Sequence, residues 1–333
     1  MNSQISQADF SINLDRNTAV IEIPARLSIL EAVHFKQTFD RLLEKTSYPE
    51  KIILNFDRTK FIDSSGVGAL VHNLKATQEK QVELILKNLH PPVMSVLSMT
   101  GLEEVFQIKQ ENTSDRAEQS DRVKLKELPH THPSVQSWIK RAIDIIGSLV
   151  GLIITGIILI PIALAIKVDS PGPIFFGQIR CGWMGKRFKI WKFRSMCVNA
   201  EQLKSKIANQ ATGAIFKNDN DPRITRVGKF LRRTSLDEFP QFWNVLRGEM
   251  SLVGTRPPTP DEVASYEVPE WQRLDVKPGM TGEWQVNGRS QVRNFEDVIK
   301  LDLRYQENWS LQYDIKLILK TVLILFNKNS GAV

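Results

Sequence analysis

The strongest constraint on this chain is an apolar run at residues 145–166 (IIGSLVGLIITGIILIPIALAI), which has no charged side chain over 22 positions. As a helix it would be about 33 Å long, close to the thickness of the hydrocarbon core of a bilayer. A helix of this length inside a soluble core usually keeps one polar side. The run therefore predicts a membrane-inserted helix within residues 138–168.

The path of this helix through the bilayer is less constrained. Lys140 and Arg141 precede the run and Lys167 follows it, so the distribution of basic residues gives no orientation. Pro161 removes a backbone hydrogen bond and predicts a kink or break. Because both flanking halves are expected in the cytosol, we expect a re-entrant helix–break–helix, with an ordinary span as the alternative.

Charge divides the chain into two unlike parts. The net charge is +7, yet residues 1–138 carry 16 basic and 18 acidic side chains, against 28 and 19 in the remainder. The second part therefore favours an anionic partner such as a phospholipid, a nucleic acid or a phosphorylated substrate. Two cysteines, Cys181 and Cys197, are too few for a disulfide framework and indicate a reducing compartment.

The first part alternates strands and helices. Residues 10–14, 18–23, 52–54 and 82–86 have strand-like patterns, Ser28 can cap a helix, and FIDSSGVGALVHNLKATQEK begins as a loop and continues as a helix. This alternation over residues 8–109 predicts a small α/β sandwich with a mixed sheet. Residues 110–137 are polar and rich in turn formers, which predicts a linker.

The end of the chain predicts an amphipathic helix. The segment YDIKLILKTVLILF has an apolar side, and Lys316 and Lys320 stand four residues apart. Such a helix either lies on a membrane surface or packs on the core of its own domain. The pattern does not choose between the two.

One acidic pair stands among many cations. In RRTSLDEFPQFWNVL, Asp237 and Glu238 follow Thr234 and Ser235, and Ser235 with Glu238 fits a helix capping box. The alternative is a phosphate-handling site, in which a carboxylate attacks phosphorus and arginines stabilise the charge. The cations nearby in the sequence are Arg226, Lys229, Arg232, Arg233 and Arg256.

From about residue 138 to its end, the chain resembles the bacterial sugar transferases, the small monotopic phosphoglycosyl transferases. The resemblance lies in KRAIDIIGSLVGL, DSPGPIFFGQIRCG, KIWKFRSM, DPRITRVGKFLRRTSLDEFPQFWNVLRGEMSLVGTRP, KPGMTGEWQVNGRS and LDLRYQENWSLQYDIKLILKTV. It implies an α+β catalytic domain at residues 169–333. It also implies transfer of a phospho-sugar from a UDP-sugar to undecaprenyl phosphate, with release of UMP and a covalent aspartyl intermediate.

The same resemblance implies roles for individual residues. Asp237 would be the nucleophile and a Mg²⁺ ligand, with Glu238 as its partner. Arg256 would bind phosphate, although Thr255 replaces the usual first proline of its motif, and Arg232 would support Glu238. Phosphate or nucleotide contact, or a plain solvated surface, is expected for Arg180, Lys192, Arg194 and Arg289. In the apolar run, Ile160 replaces the serine of the family's Ser-Pro break.

The motif FIDSSGVGAL after a buried strand resembles the phosphorylation loop of STAS domains, the fold of anti-sigma-factor antagonists. That resemblance implies a regulatory domain with a phosphoacceptor at Ser64 or Ser65, next to Asp63, and a possible regulatory protein partner. The simpler interpretation is that Asp63 and Ser64 cap the following helix.

The resemblance to the sugar transferases, with the apolar run, implies a priming transferase on the cytoplasmic membrane, with both soluble domains facing the cytosol, acting in exopolysaccharide or other surface glycan synthesis. Two alternatives are a catalytically silent membrane adaptor, which the intact acidic pair disfavours, and a transporter, for which one apolar segment is too few. No groove-reading motif suggests nucleic-acid binding. The sugar, the glycan and the oligomeric state stay open.

Overall fold

The computed structural model describes residues 10–15, 17–44, 48–110, 131–214, 216, 218–287, 292 and 294–326. The chain divides into two compact units. The first contains residues 1–131 together with two short segments, Met184–Lys186 and Tyr266–Asp275. The second contains residues 132–183, 187–265 and 276–333.

The first unit is built on a mixed five-stranded sheet with the strand order β1-β2-β4-β6-β7. β1 is antiparallel to β2, and the remaining neighbours are parallel. β3 and β5 form a separate parallel pair. The elements are β1 (Ile12–Asp15), β2 (Thr18–Glu22), β3 (Arg26–Leu27), α1 (Ile29–Leu43), β4 (Lys51–Asn55), β5 (Phe61–Ile62), α2 (Ser64–Glu79), β6 (Glu83–Lys87), α3 (Pro91–Thr100) and β7 (Gln107–Lys109).

Alternating burial along the strands shapes the core of this unit. Ile52 and Leu54 of β4 are fully buried, and so are Phe35 and Phe39, one helical turn apart on α1. At the start of α1, the Ser28 amide donates to Glu31 at 3.1 Å, as the sequence predicted for a cap. The predicted α/β sandwich with a mixed sheet is confirmed.

The second unit contains one very long helix, two short β-pairs and a set of shorter helices. β8 pairs with β9 in antiparallel fashion, and β10 pairs with β11 in parallel. The elements are α4 (Pro133–Gln136), α5 (Trp138–Asp169), β8 (Phe175–Cys181), β9 (Arg187–Phe193), α6 (Ala200–Leu203), α7 (Arg226–Arg233), α8 (Phe242–Arg247), β10 (Ser251–Val253), α9 (Pro260–Ala264), β11 (Gly279–Thr281), α10 (Glu283–Asn287), α11 (Phe295–Glu307) and α12 (Leu311–Phe326).

Helix α5 has its polar side turned inward. Its buried positions include Lys140, Asp144, Ser148 and Thr155, whereas large apolar side chains such as Ile157 face outward. This is the reverse of a helix in a water-soluble core. It is also the one described helix that is long and apolar enough to cross a bilayer, as the sequence predicted.

The break expected at Pro161 is absent. α5 continues as an α-helix through this residue from Trp138 to Asp169. Pro161 lacks an N–H group, so one hydrogen bond of the helix is lost, but the flanking turns keep helical geometry. The helix–break–helix prediction is therefore wrong for this backbone.

Polar contacts anchor the first turns of α5 to the second unit. Lys140 Nζ lies 2.5 Å from Asp314 Oδ2 and donates to the Val253 carbonyl at 3.0 Å. Arg141 donates to the carbonyls of Val245 and Leu246, at the end of α8, at 2.7 and 2.6 Å. These bonds fix the apolar helix to the elements that carry the acidic pair.

Helix α12 packs on the core of its own domain, one of the two roles that the sequence left open. Leu317 is almost fully buried and packs with Val253 and Tyr305. The opposite side of the helix exposes four apolar side chains: Ile315, Leu319, Val322 and Leu323. One side therefore packs on the domain core, and the other presents an apolar stripe at helical spacing.

Candidate active site

The acidic pair lies on a 3₁₀-helix and not at the start of an α-helix. Leu236–Gln241 forms the 3₁₀-helix, and α8 follows it. Ser235 adopts a left-handed backbone with φ of 56° and makes no side-chain cap. The capping-box interpretation of Ser235 and Glu238 is therefore wrong. Pro240, which has no N–H group, prevents a regular α-helix from running through this segment.

Each acid of the pair has a cation beside it. Glu238 Oε1 accepts a hydrogen bond from Lys192 Nζ at 2.8 Å. Asp237 is 5% exposed. Burial lowers the pKa of the Arg232 guanidinium, while the nearby charges of Asp237, Asp221 and Glu238 raise it. Arg232 also donates through Nε to Ser195 Oγ at 3.0 Å, which fixes its orientation. Arg232 therefore lies near the acidic pair, and its predicted support of Glu238 stays a prediction.

Arg256 is held by a carboxylate that sequence reasoning missed. Its two terminal nitrogens donate to Glu262 Oε2 and Oε1 at 2.7 and 3.1 Å, a bidentate pair. Glu262 also accepts from the Thr259 amide at the start of α9. The guanidinium lies 5.9 Å from the centre of the Trp284 ring. The fixed plane of Arg256 therefore depends on Glu262. The capping box Thr259–Glu262 was the sequence signal for it.

Arg180 belongs to the same cationic group. Its guanidinium donates to Gln178 Oε1 at 3.0 and 2.7 Å and to the Pro257 carbonyl at 2.9 Å. Burial, followed by repulsion from Arg256, lowers the pKa of Arg180 to about 10. A guanidinium in these surroundings gains from an anion that would neutralise the excess positive charge.

These side chains surround a cavity of about 330 Å³. Its lining includes Arg180, Lys192, Arg232, Arg256 and Glu262. Asp237 and Glu238 are not part of the lining, and the cavity reaches them only through their partners Arg232 and Lys192. The cavity is therefore a cationic pocket that ends at the side chains next to the acidic pair.

A second cavity of about 410 Å³ adjoins the first, because Arg232 and Asp221 line both. Arg226, Lys229 and Arg233 of α7 contribute its charge, and Phe230, half exposed, contributes an apolar wall. The Val227 amide of α7 donates to Asp169 Oδ2, at the end of α5, at 3.0 Å. The second cavity therefore stands next to the end of the apolar helix.

One of the predicted phosphate-binding residues, Arg194, does not join this cluster in the same way. Arg194 donates to the Ser170 and Pro171 carbonyls at 2.6 and 2.8 Å, and so holds the end of α5. Its guanidinium is engaged with backbone, although the residue also lines the first cavity. Arg289 lies outside the described residues.

Both predicted phosphoacceptors are buried in the first unit. Ser64 and Ser65 are fully buried at the start of α2. Asp63 Oδ1 accepts from the Gly66 amide at 2.9 Å, so the capping interpretation of Asp63 is confirmed. Burial raises the pKa of Asp63 to about 6. Phosphorylation of either serine stays a prediction.

Comparison of the sequence with known protein families identifies the family of each of its two parts. Residues 135–328, more than half of the chain, match the bacterial sugar transferase family. The chain belongs to the bacterial sugar transferase family. Residues 10–117 match the STAS domain. Both resemblances predicted from the motifs are confirmed, and the first unit is built on a STAS domain.

Three curated proteins are similar to this member of the family. The galactosyl transferase CpsE of Streptococcus agalactiae serotype III (strain NEM316) is 50% identical over 188 residues, covering 56% of this chain and 42% of that protein. UDP-glucose:undecaprenyl-phosphate glucose-1-phosphate transferase of Escherichia coli (strain K12) is 45% identical over 195 residues, 56% and 40% of the two chains. Exopolysaccharide production protein ExoY of Rhizobium meliloti (strain 1021) is 36% identical over 189 residues, 55% and 83%. The chain thus spans about two-fifths of the length of the first two.

Proposed function

We propose that this protein moves a phospho-sugar from a UDP-sugar to undecaprenyl phosphate and so begins the assembly of a surface glycan. The observation that carries the proposal is the acidic pair Asp237–Glu238 beside a cationic cavity with Arg180, Arg232 and Arg256. A diphosphate needs several fixed cations, and a transferred phosphoryl group needs a nucleophile next to them. Relatives whose names specify such a transfer support the same reaction.

The chemistry would proceed by two displacements at one phosphorus atom. A carboxylate oxygen of Asp237 attacks the β-phosphorus of the UDP-sugar, and the bond from that phosphorus to the bridging oxygen breaks, which releases UMP. The sugar phosphate is then esterified to Asp237. An oxygen of undecaprenyl phosphate attacks the same phosphorus, the bond to the Asp237 oxygen breaks, and the carboxylate is restored. Arg256 and Arg180 stabilise the phosphate charge in both steps.

The two adjoining cavities give each substrate its own approach. The first, lined by Arg180 and Arg256, suits the diphosphate of the nucleotide sugar. The second, with Arg226, Lys229 and the apolar ring of Phe230, stands next to the end of α5 and suits a phosphate on a lipid tail. Arg232 lines both. We therefore propose that Arg232 contacts the phosphate of each substrate in turn.

A divalent cation fits the acidic pair only together with substrate. Mg²⁺ is commonly bound by one or two carboxylates plus substrate phosphates. Within the part of the chain that the structure describes, no group of three or more His, Cys, Asp or Glu side chains could bind a metal. Asp237, next to Glu238, would supply the protein's oxygen ligand. When bound, Mg²⁺ would reduce the negative charge on the transferred phosphoryl group.

Membrane association follows from the surfaces that the second unit presents. α5 exposes apolar side chains, among them Ile146, Ile153 and Ile157, and α12 exposes the stripe that contains Leu319 and Leu323. A lipid phosphate at the interface is reached only by a site fixed against the leaflet. Lys140 near the start of α5 and Asp169 at its end both contact the second unit, so the unbroken helix runs along that unit and does not lead away from it. We propose that the exposed apolar side of α5 lies in the cytoplasmic leaflet of the membrane and that both soluble domains face the cytosol.

The experiment incubates membranes holding the full chain with undecaprenyl phosphate and a panel of UDP-sugars, and measures UMP with Mg²⁺ and with EDTA. We expect UMP with one donor class and none with EDTA. Radiolabelled donor without acceptor should label the wild-type protein but not Asp237→Asn. Asp297→Asn, an exposed acid on α11, is the matched control. UMP release from no donor would overturn the function. Full activity of Asp237→Asn would overturn the covalent step alone.

Topology has its own test. Single cysteines at Ser98, exposed on α3, and at Lys300, exposed on α11, can be labelled with a membrane-impermeant reagent after Cys181 and Cys197 are replaced by alanine. We expect both positions to react only in inside-out vesicles. Labelling of the two positions from opposite faces would contradict the proposed topology.

A further inference from the structure

Two short segments of the sugar transferase region fold with the STAS domain. Met184–Lys186 and Tyr266–Asp275 belong to the first compact unit, although both lie inside the residues that match the sugar transferase family. Val268–Asp275 forms a 3₁₀-helix. Both segments contact the first turns of α2, the helix that begins with the serine pair Ser64 and Ser65.

Trp271 contacts this helix at a glycine. A Cβ atom added to Gly68 would lie 2.6 Å from Trp271 Cδ1 and Cγ, which no real side chain tolerates. A Cβ atom on Gly185 would lie 3.3 Å from Cζ3 of the same ring. Trp271 is 7% exposed. The indole therefore occupies a notch that exists because Gly68 has no side chain.

Polar contacts fix the two ends of the segment. The Ser64 amide donates to Asp275 Oδ1 at 3.0 Å, and the Ser64 hydroxyl lies 3.4 Å from Met184 Sδ. At the other end, Lys36 Nζ lies 3.7 Å from Glu267 Oε2, an ion pair near the surface. Ser64 has no exposed surface in this arrangement. A kinase or protein partner can reach it only after the segment has moved.

We infer that the α2 face of the STAS domain is an internal docking surface, and that its occupant is the segment Tyr266–Asp275 of the same chain. Two contacts identify this occupant: the fit of Trp271 against Gly68 and the hydrogen bond between Ser64 and Asp275. A negative charge at Ser64 would be buried next to the carboxyl groups of Asp63 and Asp275. Because burying it there is costly, the charge would expel the segment Tyr266–Asp275.

Docking has a consequence for the transferase through chain connectivity. The residues that follow Asp275 lead directly into β11, and Pro278 bridges Thr255, the neighbour of Arg256. Release of the segment therefore loosens the chain that leads to Arg256. We expect release to lower the rate of UMP formation about threefold to tenfold. This part rests on the proposed function, whereas docking itself does not.

The test is hydrogen–deuterium exchange of the full chain in nanodiscs. Residues 266–275 and the start of α2 should exchange slowly in the wild type. Ser64→Glu should speed exchange at 266–275 at least about tenfold, whereas Ser64→Ala, which keeps the amide donor, should stay within about twofold. Slow exchange in Ser64→Glu, or fast exchange in the wild type, would overturn the inference.

A second set of variants tests the notch directly. Gly68→Ala and Trp271→Ala should each speed exchange at 266–275. Gly68→Ala should add nothing in the presence of Trp271→Ala, because the clash needs both groups. If the increases in exchange rate of the two variants add in the double variant, the proposed fit of Trp271 against Gly68 would be overturned. Exchange in β4 and β6 reports whether the sheet stays folded. If Gly68→Ala unfolds the sheet, the exchange rate at 266–275 in Trp271→Ala alone tests the notch, because Trp271 lies outside the STAS domain.

Activity then separates docking from coupling. UMP release by Ser64→Glu is compared with that of Ser64→Ala under the same conditions. A lower rate with faster exchange at 266–275 supports both parts of the inference. Faster exchange with an unchanged rate overturns the coupling to Arg256 and leaves docking supported. Absence of UMP release from the wild type would instead count against the proposed function.

Discussion

Two acid-and-serine loops in this protein have similar residues and different surroundings. In the first unit, Asp63 precedes Ser64 and caps α2 through the Gly66 amide. Its acidic neighbours there include Glu31 and another buried carboxyl group, Asp275. In the second unit, Ser235 precedes Asp237 and caps nothing, and the charged neighbours of the acidic pair are Lys192 and Arg232.

The difference shows how surroundings assign a role to an acid. Burial raises the pKa of Asp63 to about 6, and burial together with the charge of Asp63 raises the pKa of Asp275 to about 7. Two buried carboxyl groups with raised pKa values favour the protonated form and suit a structural role. An acid surrounded by cations keeps its negative charge and can act as a nucleophile or a ligand. Residue type alone does not distinguish the two loops.

The largest expected effect contrasts the two aspartates by the same substitution. Asp237→Asn should lower UMP release by at least about 10³-fold, because an amide cannot form the phosphoryl ester. Asp63→Asn should stay within about threefold, since asparagine caps a helix as well as aspartate does. The two rates are measured with saturating donor. Equal losses in both variants would remove the distinction between the loops.

The next effect concerns pH. The raised pKa of Asp275 means that the unfolded chain loses its proton first, so the first unit loses stability as pH rises from about 4 to about 7. Asp275→Asn should remove the part of this loss that comes from Asp275, a gain of roughly 2–4 kcal/mol at pH 8 relative to wild type. Thermal unfolding between pH 4 and pH 8 measures it. Asp63→Asn should reduce the dependence of stability on pH by less than Asp275→Asn does. If the stability of Asp275→Asn falls with rising pH as steeply as that of the wild type, the raised pKa of Asp275 would be contradicted.

A smaller effect tests the fixed plane of Arg256. Glu262→Gln removes the charge of the bidentate partner and should lower kcat/KM about 10–100-fold. Asp261→Asn, its neighbour on α9, is the matched control and should change little. The measurement is UMP release over a range of donor concentrations. If both variants lose the same activity, Glu262 supports only helix α9.

The smallest effect tests the cation beside Glu238. The Lys192–Glu238 pair is about a quarter to a third exposed on each side, so solvent weakens it. Lys192→Met should lower kcat about fivefold, which corresponds to about 1 kcal/mol, and Lys192→Arg should restore most of it. Lys189→Met, on the same strand, is the control. A loss as large as that of Asp237→Asn would mean that Lys192 takes part in the chemistry.

Sequence reasoning named most residues of the candidate site because they stand in short, ordered motifs, and their roles stay predictions. Asp237, Glu238 and Arg232 are close in the chain, and Lys192 and Arg256 come from motifs on β9 and after β10. Glu262 and Gln178 were missed, because their importance lies in the arginines they orient. Arg194 was expected to contact phosphate, yet it binds the backbone at the end of α5. Sequence periodicity does not predict this contact, because the two segments are far apart in the chain.

Hydrophobic and charge patterns along the chain were enough to specify a strand–helix sandwich, a long apolar helix and a cationic domain, because periodicity and net charge are local properties. Only the folded chain decided that α5 runs unbroken through Pro161, that Ser235 is no cap, and that Trp271 fits the notch at Gly68. Those outcomes depend on side chains far apart in sequence competing for the same space and the same hydrogen bonds.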